Sequence, residues 1–166
     1  METIKANFIN FLALVIVGMS IIFAVNYNTS HIKGTSMEPT YSSGDVVMTR
    51  KNTDDIKVND IITIHGEKLS ESVGMEIPDM LKRVVAVPGD TVKMEDNVFY
   101  INGEPEDADY VRGEMINNAD FEDVLGEDEF FVLGDNRNFS ADSRVFGPVN
   151  RDMIVGYVTR TIRSAD

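Results

Sequence analysis

Apolar and polar residues are distributed differently in the first 30 residues and in the rest of the chain. No charged residue occurs at positions 6–30, and positions 11–25 are apolar apart from one glycine and one serine. A membrane-spanning helix needs about 20 predominantly apolar residues, and residues 8–27 meet this length. We therefore predict an N-terminal stub and transmembrane anchor in residues 1–30, followed by a separate domain in residues 31–166.

A cleaved secretory signal is the alternative interpretation of this apolar segment. Its basic N-terminal part would be Lys5 alone, and Asn26 stands where a cleavage site needs a small residue. These features favour an uncleaved anchor. Lys5 on one side is balanced by Lys33 on the other, so the free amino terminus decides in favour of an N-terminus inside.

After residue 30 the pattern is that of short strands separated by turns. Runs of β-branched, alternating or continuously apolar residues predict strands at residues 45–50, 60–65, 81–87, 91–94, 98–101, 129–133 and 153–162. Asp96-Asn97 and Asn102-Gly103 are turn signals. The polar intervals 66–79 and 104–128 are interpreted as surface excursions, the second with a short helical turn. The predicted fold class is mainly β, with a coiled, barrel-like sheet behind one transmembrane helix.

Composition excludes several classes of function. The net charge of −13 opposes binding to nucleic acid, whose phosphates would repel the chain. Residues 95–129 contain thirteen acidic residues and one base, Arg112, and are interpreted as a solvated acidic surface. The absence of cysteine excludes disulfides, thiol catalysis and cysteine-ligated metals. No metal, nucleotide or redox motif is present, so we expect no cofactor and no metal.

A candidate nucleophile, Ser36, lies just beyond the apolar segment in the sequence GTSMEPT, residues 34–40. Gly34 permits unusual backbone angles and Pro39 stiffens the chain that follows. Such a turn can expose a hydroxyl and aim neighbouring N–H groups at one point. Acyl transfer needs this arrangement, because the tetrahedral oxyanion must meet preorganised donors. The alternative is a serine that caps an ordinary turn.

The proton acceptor for such a serine is usually a histidine, but both histidines lie outside any motif. Lys82 is the better candidate, because it is embedded in the apolar run 81–87. Burial disfavours the ammonium form and lowers the pKa of a lysine by up to about 3–5 units, leaving a neutral amine as base. Strand alternation sends Lys82 and Arg83 to opposite faces, so only one of them faces the site. The alternative is an outward lysine on an edge strand.

A third polar segment, residues 134–144, combines a turn with small hydroxyls. A hydroxyl can orient a neutral lysine without adding a charge that would raise its pKa. A free carboxylate would favour the ammonium form, so Asp142 should be paired elsewhere, with Arg144 as the nearest cation. The alternative is a polar loop that closes a β-bend, and this is compatible with a supporting role.

The three motifs, in this order behind one anchor, resemble the type I signal peptidases. These are membrane-bound serine–lysine proteases that remove signal peptides from exported proteins, and the small size and lysine base resemble the Gram-positive bacterial subgroup. The resemblance implies that Ser36 is the nucleophile and that Lys82, rather than Arg83, is the base. It also implies that the Ser36 amide is one oxyanion donor. Gly34 occupies the position at which some members place a second, hydroxyl donor.

Further roles follow from the same resemblance. Ser140 is expected to hydrogen-bond the base, and Asp142 and Arg144 are expected to form a structural ion pair. The pockets for small residues at the first and third positions before the cut (an Ala-x-Ala-like preference) are matched by Ile32, Met37 and Leu81. Departures from the family occur near the cleft, where they would alter side-chain preference, at Tyr41, Met80 and Phe139.

The resemblance also implies partners and location. The substrates would be signal-peptide-bearing exported preproteins, bound as an added strand beside the edge formed by residues 81–87. The anchor would lie in the lipid bilayer of the cell membrane, with the N-terminus cytoplasmic and the catalytic domain outside. Two alternatives remain: a catalytically silent subunit of pilus assembly, against which the intact Ser36 and Lys82 argue, and a self-cleaving SOS-type repressor, which should open with a DNA-binding helix-turn-helix.

Overall fold

The computed structural model describes residues 2–111, 113–116 and 118–163. The chain opens with α1 (Glu2–Asn26). Within it, Asn7–Asn26 has a mean hydropathy of 2.6 and is long and apolar enough to cross a membrane, and none of this window is buried in the fold. The predicted span, residues 8–27, therefore differs from this helix segment by one residue at each end.

The helix continues directly into β1 (Tyr27–His31), with no linker between them. The Asn26 carbonyl accepts a hydrogen bond from Lys51 N–H at 2.8 Å. The rings of Phe23 and Tyr27 stack across the junction with centroids 4.9 Å apart. The helix end is thus attached to the β domain by backbone and side-chain contacts.

Eleven strands, all in antiparallel pairs, build two sheets in the described part of the chain. After β1 they are β2 (Val46–Arg50), β3 (Ile61–Ile64), β4 (Met80–Ala86), β5 (Thr91–Glu95), β6 (Val98–Ile101), β7 (Glu104–Pro105), β8 (Phe121–Val124), β9 (Glu129–Leu133), β10 (Val149–Asn150) and β11 (Ile154–Arg163). Seven strands form a curled sheet in the order β1-β2-β11-β3-β4-β9-β10, and four form a second sheet in the order β7-β6-β5-β8. The helices α2 (Gly66–Val73) and α3 (Ser143–Phe146) are short. The predicted mainly β, barrel-like fold is confirmed.

Two hydrophobic clusters lie on opposite faces of β4 and β9. Val84 and Val132 belong to the first cluster, whereas Val85 and Leu133 belong to the second, which also includes residues of β5 and β6. Strands buried on both faces need apolar residues at almost every position. This explains the continuous apolar run around Lys82.

All seven predicted strands are present, each within one residue at either end. The two predicted hairpin turns are confirmed as well, because Asp96, Asn97, Asn102 and Gly103 all have positive φ, between 51° and 85°. Such angles match the turns that join twisted strands tightly.

Three predictions about the segments outside these strands are wrong. Residues 27–30 are not part of the anchor but pair with β2, so the predicted boundary at residue 30 falls inside a strand. The excursion 66–79 does lie at the surface, and it contains α2, which buries only Gly66 and Leu69. The excursion 104–128 holds β7 and β8 and no helix among its described residues. Within the acidic run, Glu106 is buried in an ion pair with Arg137 rather than solvated.

Candidate active site

Ser36 lies in a turn that follows β1, and contacts from Asn136 hold that turn. The Asn136 backbone N–H donates to the Ser36 carbonyl at 3.0 Å, and its side-chain amide donates to the Thr35 carbonyl, also at 3.0 Å. Gly34, which precedes them, has a φ of +83°, a left-handed conformation that disfavours other residues. The serine is therefore presented by a turn whose carbonyls face a segment a hundred residues further along the chain.

Lys82 reaches this serine from β4. Its Nζ lies 3.0 Å from Ser36 Oγ, within hydrogen-bond distance, and only 3% of the residue is exposed. Burial lowers the pKa of Lys82 from 10.5 to about 8, while the charge of Asp142 acts in the opposite direction and that of Arg144 in the same direction. The structure thus brings together the predicted nucleophile and base. A neutral amine here can take the proton of the hydroxyl.

Arg83 points to the other face of β4, as strand alternation requires. Its guanidinium makes two hydrogen bonds to the carboxylate of Asp135, at 2.8 and 2.7 Å, and donates to the Asn59 carbonyl at 3.1 Å. Thr40 also donates to Asp135. This buried network ties the end of the serine turn to the residue next to Asn136.

Asp142 and Arg144 form the predicted ion pair. Arg144 Nε and Nη2 donate to the two carboxylate oxygens of Asp142, each at 2.8 Å. The Asp142 side chain is fully buried and that of Arg144 is 9% exposed. The carboxylate also accepts from Gly134 N–H at 3.0 Å. Both oxygens are occupied, so the carboxylate is held away from direct contact with the base.

Ser140 does not make the expected contact in this structure. Its Oγ is buried and has no hydrogen-bond partner among the described residues. The hydroxyl lies beside Gly134, where an added Cβ would collide with both Ser140 Oγ and the Ser36 carbonyl oxygen. A glycine is therefore required at position 134 for the third motif to approach the serine turn. The orienting role of Ser140 remains a prediction.

A cleft of about 910 Å³ contains Ser36 and Lys82. Its walls include the three predicted pocket residues Ile32, Met37 and Leu81, of which the first two are buried. Gly34 also lines it, as does Met80. The structure therefore gathers the predicted catalytic and pocket residues around one space.

The predicted docking edge needs correction. Arg83, Val84 and Ala86 of β4 pair with β9 on one side, and Met80 to Arg83 pair with β3 on the other. Residues 81–87 are thus mostly an inner strand, because the apolar run is buried between two neighbours. On the β9 side, Met80, Leu81 and Lys82 have no paired strand in the described part of the chain.

Sequence reasoning missed two parts of the site. One is Asn136, which the sequence indicates only as part of a turn and whose partners lie a hundred residues away. The other is the cleft wall formed by residues 75–79, which follows α2. The wall is fixed by Ser70, whose hydroxyl bonds the Ile77 N–H at 2.7 Å, and by Asp79, which accepts from Gly66 N–H at 2.7 Å. Only the excess of apolar residues near position 77 could have suggested it.

The described residues contain no cluster of three or more histidine and acidic side chains suited to a metal ion. The chemistry that these residues can perform on their own is nucleophilic attack assisted by an amine base.

Comparison with known proteins decides the family. The family model "Signal peptidase, peptidase S26" matches residues 2–162. The chain belongs to this signal peptidase family. Signal peptidase IB of Staphylococcus aureus is 31% identical over 179 residues, which cover 96% of this chain and 87% of that protein. Signal peptidase I of Bacillus caldolyticus is 35% identical over 143 residues, covering 76% of this chain and 74% of the relative.

A solved structure agrees with the assignment. The crystal structure of a signal peptidase I from Enterococcus faecalis V583 has a TM-score of 0.50 and 30% sequence identity to this chain. It covers 64% of this chain and 98% of the solved one. The β domain of this signal peptidase family member is therefore similar to one already observed.

Proposed function

We propose that this protein is a membrane-anchored signal peptidase I that cuts signal peptides from exported preproteins, with Ser36 as nucleophile and Lys82 as general base. The single observation that supports this most is the 3.0 Å approach of Lys82 Nζ to Ser36 Oγ within a buried setting. Membership of the signal peptidase family supports the choice of substrate.

The reaction follows from these two groups. Neutral Lys82 takes the proton of Ser36 as the hydroxyl oxygen attacks the scissile carbonyl carbon. The resulting ammonium then gives a proton to the leaving amine, so that the peptide bond breaks and an acyl-enzyme remains. A water, deprotonated by the amine, hydrolyses the ester and restores Ser36.

The oxyanion of the tetrahedral intermediate needs donors on the serine turn. We assign this role to the backbone N–H groups of Ser36 and Gly34, neither of which has an acceptor among the described residues. Ser140 is assigned an orienting role toward Lys82. Its buried hydroxyl has no hydrogen-bond partner among the described residues and is therefore available for such a bond.

The position of the substrate in the cleft and the orientation of the protein in the membrane are also part of the proposed function. An extended peptide would pair with the free side of β4 at Leu81, placing alternate side chains in the pockets lined by Ile32 and Met37. Shallow pockets of this kind favour small residues before the cut. We place the N-terminus in the cytoplasm and the β domain outside, so that the cleft meets substrates after translocation.

The test is cleavage of a preprotein and of a short signal-derived peptide by the full chain in detergent. Ser36→Ala should abolish cleavage without lowering thermal stability, because the hydroxyl is lost and the turn is kept. Ser43→Ala, a change at an exposed serine of the next turn, is the matched control and should cleave normally. Substantial cleavage by a well-folded Ser36→Ala variant would exclude Ser36 as the nucleophile.

A further inference from the structure

A second cleft, of about 800 Å³, lies on the far side of the loop that contains Ser140. Phe139, Ser140, Val145 and Pro148 line one of its walls, and Phe121 lines the other. Phe139 and Val145 are 74% and 63% exposed, and Phe139 is the most exposed large apolar residue among those that the structure describes. Val145 also lines the catalytic cleft, so the two spaces adjoin.

The register of β4 decides which way a bound peptide must leave the catalytic cleft. The free side of β4 ends at Lys82, because the next residue, Arg83, is paired with Leu133 of β9. A peptide that pairs at Leu81 therefore cannot continue along the strand past the base. Ala141 and Val145 line the catalytic cleft and Val145 also lines the second one, so the chain beyond the scissile bond can pass over Val145 into the second cleft.

The second cleft is lined by charged as well as apolar side chains. Its exposed acidic residues, Glu122 and Asp123, belong to β8, whereas the loop beside the catalytic cleft carries Phe139 and Val145. Arg137 is held by two hydrogen bonds from its guanidinium to the Glu106 carboxylate, and Arg144 is held by Asp142. Neither guanidinium is free to pair with a ligand carboxylate. The exposed surface that remains available on the loop is mostly the ring of Phe139 and the methyl groups of Val145.

We propose that this second cleft binds the first residues of the mature polypeptide, downstream of the scissile bond, and that Phe139 and Val145 determine which side chains are accepted there. The inference rests on the proposed function, because it assumes that the residues before the cut occupy the cleft around Ile32, Met37 and Leu81. The ligand is an extended peptide segment with apolar side chains.

The experiment compares two peptides that are identical before the cut. One continues with apolar residues after it, and the other continues with glycine and serine. The quantity measured is the ratio of kcat/KM for the two peptides within each variant of the full chain. Wild type should prefer the apolar peptide by about tenfold, the usual size of an effect from a small apolar contact.

Phe139→Ser and Val145→Ser should each lower this ratio several-fold. Val98→Ser is the matched control, an exposed apolar residue that lines neither cleft, and it should keep the wild-type ratio. Phe139 and Val145 are exposed, and thermal unfolding of each variant checks that the fold is kept. A wild-type ratio near one, or an unchanged ratio in both cleft variants, overturns the inference. Failure of wild type to cut either peptide overturns the proposed function as well.

Discussion

Lys82 is almost fully buried, and the only hydrogen-bond partner of its Nζ in the described part of the chain is the hydroxyl of Ser36. Burial costs the ammonium form its hydration without the compensation of a contacting carboxylate, and its pKa falls to about 8. A substantial fraction of this amine is therefore neutral near pH 8, where a solvated lysine would be almost fully charged.

The pH profile of the reaction should follow this pKa. Catalysis needs the neutral amine, which prevails above the folded-state pKa, so kcat/KM should rise as pH increases through about 8 and fade below it. The measurement is kcat/KM for a short peptide across the range in which circular dichroism shows the fold intact. A profile without any rise between pH 6 and 9 would exclude Lys82 as the base.

The same burial of Lys82 should lower the free energy of unfolding of the protein. Its pKa is lower in the folded than in the unfolded state, so the penalty is fully present below about 8 and disappears as pH rises from about 8 to 10.5. Lys82→Met should be inactive but more stable than wild type at pH 7, by up to about 3 kcal/mol.

Denaturant unfolding at pH 7 and again near pH 10 measures this difference, which should shrink at the higher pH. Lys93→Met, a change at a more exposed lysine of β5, is the matched control and should show no such gain. A Lys82→Met variant that is less stable than wild type at neutral pH would contradict the account.

The segment that joins β9 to β10 acts on the pKa of Lys82 through its ion pair. Asp142 and Arg144 act on the Lys82 pKa in opposite directions. Asp142→Asn should therefore shift the rise of kcat/KM to lower pH, and Arg144→Ala should shift it to higher pH. Each should also cost about 3–5 kcal/mol of stability, because each leaves a buried partner without its counterpart.

A double-mutant cycle separates this pairing from independent packing effects. The double variant should be little less stable than either single one. Additive losses would show that the two residues do not interact, and pH profiles that move in the same direction would rule out an electrostatic effect on Lys82.

What the sequence predicts well is local. The strand around Lys82 is recognisable because burial on both faces demands a continuous apolar run, and the hairpin turns are recognisable because few residues tolerate positive φ. The partner of the serine turn was not predictable in the same way, since Asn136 meets Thr35 only after β9 has been placed beside β4. The absent contact of Ser140 depends on side-chain rotation, which no sequence pattern determines.

The element most poorly predicted was β1. Its residues are mainly polar and follow the apolar segment so closely that the prediction includes residues 27–30 in the anchor. Their strand conformation depends on pairing with β2, which lies beyond the serine turn. The position of the helix end is thus set by tertiary contacts rather than by hydropathy.

At the scale of the whole molecule, α1 passes directly into β1, so no linker separates the proposed anchor from the β domain. The five residues of β1 cover about 17 Å. Ser36 follows shortly after them, so its height above the membrane surface should be nearly constant. We expect wild type to cut preproteins efficiently only at one spacing between the apolar core of the signal and the scissile bond.

A flexible Gly-Ser linker inserted between Asn26 and Tyr27 should broaden this preference. The measurement is the extent of cleavage in a series of membrane-inserted preproteins whose spacers differ in length. The same linker inserted before Asn7 is the control, since it leaves the junction intact. Identical spacer profiles for the two insertions would contradict a rigid connection, and the short peptide reports separately that the active site is intact.

With the proposed anchor in the bilayer, the cleft would thus be held at a fixed distance from the membrane surface. A cut would be chosen by its distance from the bilayer as well as by the small residues that precede it. An Ala-x-Ala sequence further along an exported protein would carry the same side chains and yet lie out of reach, so that mature proteins are spared without any recognition of their folded surfaces.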